Sequence, residues 1–166
     1  MARRLRYLPE GSMVEITCRT VQGRLLLCPS PHFNEIALGV LGRAQARYRM
    51  VIHDFVILSN HLHLLLSPES PQQLALFMAF VEANLAKEAG RLHDWRGPFW
   101  ERRYELIVVS GEEEAQVGRL FYMLRHGVKE RLVDRPQDWP GPHGVTALLE
   151  ESPLTGVWID RTLEHR

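Results

Sequence analysis

The apolar positions of this chain fall into short runs of strand character and longer runs at helical spacing, and the two kinds alternate. Met13, Val14, Ile16, Thr17 and Cys18 form a first run of about seven residues that reads as a strand. Phe33, Ile36, Ala37, Val40, Leu41 and Ala44 then recur at helical spacing to about Tyr48, with Gly39 and Gly42 weakening that helix. Val51–Leu58 and Leu62–Ser67 are two further strands, with Ser59-Asn60 as the tight connection between them. Ser70-Pro71 supplies an N-cap and a first-turn proline for a second helix. Its apolar stripe is Leu74, Phe77, Met78, Val81 and Leu85, and its end is predicted near Gly90. After a loop, Tyr104–Val109 reads as a strand. Ser110 and Glu113 have the spacing of a capping box, and Glu112–Glu114 put negative charge where a helix N-terminus favours it. The stripe Val117, Leu120, Phe121 and Leu124 predicts a third helix that stops at Gly127. A proline-rich loop over Arg135–Pro142 follows, and residues 151–166 read as a weakly specified tail. The order of these elements is compatible with one α/β domain over residues 1–150, with a mostly antiparallel sheet flanked by helices.

Composition agrees with one real core: 166 residues, 45% of them hydrophobic. No apolar run reaches the roughly 18 residues of a membrane span, and no charged-then-apolar leader opens the chain, so a cytoplasmic location is expected. Cys18 and Cys28 are too few and too isolated for a disulfide scaffold or a zinc ribbon. Formal charge is zero, but residues 1–49 carry eight arginines against Glu10, Glu15 and Glu35. Arg3, Arg4, Arg6 and Arg19 are therefore candidate phosphate contacts, with a plain solvated surface as the competing explanation.

The candidate chemistry begins at Ser59-Asn60-His61-Leu62-His63. Alternate residues of a strand point the same way, so His61 and His63 present both imidazoles to one face, which is half of a divalent-metal site. Some sixty residues on, Tyr122 and His126 stand one helical turn apart and share a face, with Gly118 one turn before. Taken alone, Tyr122 could be a boundary tyrosine, and His126 a helix-end histidine favoured by the dipole.

Together these segments resemble the HUH single-tyrosine transposases, and most closely the REP-associated tyrosine transposases. The likeness runs along nearly the whole chain. Met1–Arg6 resembles that family's opening, Glu15–Arg19 its first strand, and Leu58–His63 its Met-Pro-Asn-His-hydrophobe-His signature. Phe99–Tyr104 resembles its aromatic–Arg segment, and Tyr122–Val133 aligns without a gap to its Tyr-Ile-His-Leu-Asn-Pro-Val-Arg-Ala-Gly-Leu-Val. The departures are specific: Ser59 replaces proline, Glu15 replaces a common strand-one histidine, and His126-Gly127 replaces Asn-Pro.

The resemblance implies a ferredoxin-like HUH endonuclease core. It also implies a metal-dependent single-stranded DNA endonuclease and strand transferase that works through a 5′-phosphotyrosine intermediate. Tyr122 would be the nucleophile, with His61, His63 and His126 holding a divalent metal, Mg²⁺ or Mn²⁺. Trp100, Arg102 and Arg103 would join the arginines named above in binding single-stranded or hairpin DNA, with the protein a monomer or homodimer. Tyr104 is a rival nucleophile. Two other classes stay open: a domesticated DNA-binding protein of the same fold without nuclease activity, and a metal hydrolase that uses water in place of tyrosine.

Overall fold

The computed structural model describes residues 7–161. Four strands, β1 (Val14–Arg19), β2 (Val51–Ile57), β3 (His61–Ser67) and β4 (Glu105–Val108), form one antiparallel sheet in the order β2-β3-β1-β4. Helix α1 (Pro31–Tyr48) joins β1 to β2, and α2 (Pro71–Leu92) joins β3 to β4. Each connection skips one strand, which is the β-α-β-β-α-β arrangement of a ferredoxin-like sheet. The expected α/β architecture, an antiparallel sheet flanked by helices, is what the chain adopts.

Side-chain alternation decides what each face of the sheet does. Val14, Ile16 and Cys18 of β1 and Leu62, Leu64 and Leu66 of β3 turn to the side covered by α1 and α2 and form the main core with Phe33, Phe77, Met78 and Leu85. The odd-numbered residues of both strands turn the other way. Ser30 and Ser70 cap α1 and α2 through their hydroxyls, accepting from the amides of Phe33 and Gln73, each with proline following. Among the described residues, no helix is long and apolar enough to cross a membrane.

Helix α3 (Glu113–Leu124) differs from expectation at both ends and in its orientation. Its N-cap is Glu112, and the Ser110 hydroxyl accepts from the Glu112 amide at 3.5 Å, so no Ser110–Glu113 capping box forms. At Arg125 the backbone leaves the helix, and His126 opens a separate four-residue turn, α4 (His126–Lys129). Val117 and Phe121, placed by periodicity on the core stripe, are 44% and 59% exposed. The helix instead turns Arg119, Leu120 and Met123 to the sheet. Met123 packs there with Leu65 and Val109, and Glu15 takes the Arg119 guanidinium.

The chain after α4 is more ordered than its composition suggested. Trp139 is buried against Val56 and Leu58, and its indole N–H donates to the Ile57 carbonyl at 2.9 Å. The Ile57 amide donates to Pro142 O and the Gly144 amide to Phe55 O, so this segment covers the β2 edge. A short helix, α5 (Val145–Glu150), follows unannounced by any strong periodicity. Within the stretch read as a tail, Val157 crosses α1 at Gly39, where a Cβ would collide with the Val157 carbonyl. Trp158 stacks near Phe80 at 5.4 Å between ring centroids, and Arg161 pairs with Glu88 at 2.8 Å.

Asp54 follows a bulge in β2, and its carboxyl lies buried against Gly144. Burial raises its pKa to about 7 despite hydrogen bonding from the Phe55 backbone. A carboxyl whose folded pKa exceeds its unfolded value of 3.8 weakens the fold progressively as pH rises from that value to about 7. Asp54→Asn should therefore gain on wild type by roughly 2–4 kcal/mol between about pH 4 and about pH 8. Urea unfolding at the two pH values measures the difference; a constant offset would refute it.

Candidate metal and nucleophile site

On the face of the sheet away from α1 and α2, the antiparallel register sets Thr17 opposite His63 and Arg19 opposite His61, with Glu15 two residues further along β1. His61 and His63 do share this face, as the strand period requires. His126 is brought to them from above by the break after α3. Its ring centroid lies 4.2 Å from that of His63 and 5.4 Å from that of His61. All three imidazoles are buried, and each offers one ligand atom within 4.8 Å of the others.

Hydrogen bonding orients these rings. His61 Nδ1 donates to the Asn60 side-chain carbonyl at 2.7 Å, leaving Nε2 as a lone pair. His63 Nδ1 donates to Glu15 Oε1 at 2.8 Å, with Thr17 Oγ1 at 3.0 Å, and His63 Nε2 is buried with no protein partner. His61 Nε2 and His126 Nε2 are 3.3 Å apart. Burial, then the neighbouring His63 and His126 and Arg19, push the His61 pKa down to about 3. Burial, then His63, Lys129 and Arg19, push His126 down to about 4, against the opposing pull of Glu15. Three crowded imidazoles, with His63 Nε2 and His126 Nδ1 buried and lacking a hydrogen-bond partner, are the kind of ligand set a divalent cation takes. A carboxylate behind one of them is the usual support for a metal-bound histidine. The residues fit a metal.

The wall of the site is Tyr122, half-buried on α3, with its ring centroid 5.4 Å from that of His126 and 6.5 Å from that of His63. Lys129 Nζ donates to the Tyr122 hydroxyl at 3.2 Å and sits 4.4 Å from the ring centroid. Arg119 lies on the same ring at 5.5 Å and reaches down to Glu15 Oε2 at 2.7 Å. A cleft of about 560 Å³ opens over the imidazoles, rimmed by Arg19, Asn60, Lys129 and Glu130.

Of the expected DNA contacts, Arg19 reaches this cleft. Arg3, Arg4 and Arg6 lie outside the described residues. Trp100, Arg102 and Arg103 line a different groove, with Ala75, Ala79 and Glu82 of α2. The Trp100 indole is committed to the Glu82 carbonyl at 2.9 Å, Arg102 pairs with Glu105, and Arg103 lies over Tyr104. Tyr104 is itself buried in the main core, away from the imidazoles. Periodicity did not reveal Glu15 as the support of His63, nor Arg119 and Lys129 as neighbours of Tyr122. For Glu15 there was a signal: one acidic residue on the non-core parity of a strand whose other parity is Val14, Ile16 and Cys18.

Among solved structures, the chain is similar to a REP-associated tyrosine transposase bound to a REP hairpin, with a TM-score of 0.72 and 15% identity over 96% of this chain and 93% of that one. A protein of Deinococcus radiodurans R1, provisionally assigned as a transposase, aligns with a TM-score of 0.48 and 16% identity over 73% of this chain and 95% of that one. No family model matches the chain, and no curated protein matches its sequence. The fold is thus that of the REP-associated tyrosine transposase structure, on a sequence 15% identical to it.

Proposed function

We propose that this protein is a transposase-like enzyme that cuts and rejoins single-stranded DNA through a phosphotyrosine linkage on Tyr122. The observation that carries this reading is the Tyr122 phenol on the wall of a cleft floored by three converging buried imidazoles. The phenolic oxygen attacks the scissile phosphorus and a P–O bond forms. The bond from phosphorus to the 3′ oxygen breaks, leaving DNA joined to Tyr122 by its 5′ phosphate. The phenol loses its proton to solvent, and the departing 3′ oxygen takes one up as a hydroxyl. Reversal by a 3′ hydroxyl reseals the strand without ATP, because the linkage conserves the phosphodiester.

His61, His63 and His126 would hold a divalent cation, which when bound stabilises charge developing on the phosphate oxygens. Three nitrogen ligands suit Mn²⁺ better than Mg²⁺ in vitro. Lys129 holds the phenolic oxygen at the cleft, and Arg19 and Lys129 place positive charge where a backbone phosphate would enter. The structural neighbour is bound to a REP hairpin, and single-stranded or hairpin DNA is the substrate inferred for this chain.

Incubation with structured single-stranded DNA and Mn²⁺ should give an adduct that survives denaturation. Tyr122→Phe should reduce it to background while retaining DNA and metal binding. An adduct that persists in the phenylalanine variant would refute Tyr122 as nucleophile. Binding without any adduct from wild type would favour a recognition protein, and metal-dependent cleavage surviving Tyr122→Phe would favour a water-using hydrolase.

A further inference from the structure

Beside the nucleophile, α3 leaves part of itself unpacked. Val117 and Phe121 are 44% and 59% exposed, and a Cβ built on Gly118 would meet nothing within 4 Å. Gly118, Phe121, Tyr122, Arg125, Val128 and Lys129 line a second cavity of about 460 Å³. Tyr122 and Lys129 line the imidazole cleft as well, so the two spaces share these side chains as a common wall.

We propose, resting on the phosphotyrosine reading, that this second cavity seats one unpaired nucleobase next to the cleaved phosphate, stacked on Phe121. Three features favour that occupant. An exposed phenyl ring offers a flat apolar face, and stacking on aromatics holds bases with little regard to their identity. Arg125 and Lys129 supply cations for the attached backbone, and among the described residues no acidic side chain lines the cavity. Sharing Tyr122 and Lys129 as a wall puts the second cavity next to the place where a strand with its phosphate at the phenol would run. A symmetric contact with a second copy fits less well, because it would bring the Arg125 and Lys129 groups of both copies together.

The test separates stacking from chemistry. Hairpins with a random single-stranded flank are enriched on the wild-type protein in the presence of a chelator. A single abasic site is then walked along the enriched flank, and binding is read by fluorescence anisotropy. One abasic position should weaken wild-type binding roughly 5- to 150-fold. Phe121→Ala should show a similar loss on intact DNA and no further loss at that position, while Phe121→Trp should restore both. Gly118→Leu should fill the cavity and weaken binding too, although leucine favours the helix more than glycine does.

Equal binding by wild type and Phe121→Ala, or the same abasic sensitivity in both, would overturn the proposal. So would a wild-type dimer that Phe121→Ala converts to a monomer in sedimentation without DNA, or a failure of wild type to bind any flank. If Phe121-dependent, position-specific binding is found but Mn²⁺ yields no adduct, the base seat stands and the phosphotyrosine reading falls.

Discussion

Alanine at His63 is expected to eliminate both saturable Mn²⁺ binding and the DNA adduct, while the protein stays folded. His63 is the imidazole whose Nε2 is buried without a protein partner, and its Nδ1 is anchored by Glu15. Removing it takes away a ligand atom and the link between the carboxylate and the other two rings. The fold should survive, because Glu15 keeps its ion pair to Arg119 at 2.7 Å and the core side of β3 is built from Leu62, Leu64 and Leu66. Isothermal titration with Mn²⁺, circular dichroism and a denaturing gel together check this. An unfolded variant, or a folded one that binds Mn²⁺ like wild type, would remove His63 from the site.

Proton competition would give a metal held by these imidazoles a distinctive pH profile. Protons displace a metal only when they bind the ligands, and His61 and His126 are pushed down to about 3 and about 4. Metal binding at these two rings should therefore persist below the ordinary histidine value of 6.5 and fade toward those lower values. In the metal-free protein the unfolded chain takes up protons on these rings at higher pH than the folded chain. Their contribution to stability is present above 6.5 and is lost as pH falls toward about 4.

What the sequence disclosed follows from how local each signal is. Period-two alternation in β3 suffices to put His61 and His63 on one face and Leu62 and Leu64 on the other. Ser-Pro pairs suffice to start α1 and α2, because capping is a contact over three residues. The resemblance added Tyr122 and His126 to that site, and with them the fold. The rotation of α3 was not legible: Val117 and Phe121 obey the helical period, but the buried pairing of Glu15 with Arg119 turns another face inward. Contacts between residues far apart in the chain leave no periodic trace. For the same reason Trp139 beneath the β2 edge and Val157 across Gly39 looked like loop and tail.

Replacing Glu15 should disturb metal binding and adduct formation together, because this one buried carboxylate holds both His63 and the Arg119 that lies on Tyr122. One oxygen accepts from His63 Nδ1 at 2.8 Å and the other from Arg119 Nη1 at 2.7 Å, and Arg119 lies against the Tyr122 ring. Burial raises the Glu15 pKa, but His63 and Arg119 outweigh it and hold the group below its ordinary value. The folded protein therefore draws stability from Glu15 above pH 4.5 and loses it as pH falls. Glu15→Gln keeps the shape but removes the charge, and should weaken Mn²⁺ binding about 10- to 100-fold, the usual cost of losing such a support. Arg119→Ala separates the two roles: Mn²⁺ affinity should stay near that of wild type while adduct formation slows, since His63 keeps its carboxylate and only the hold on α3 is lost. Glu15→Ala leaves Arg119 unpaired and should cost roughly 2–3 kcal/mol in urea unfolding. That is less than a fully buried pair, because the Arg119 side chain is 30% exposed. If Glu15→Gln binds Mn²⁺ as tightly as wild type, Glu15 ties α3 to the sheet and does nothing for the metal.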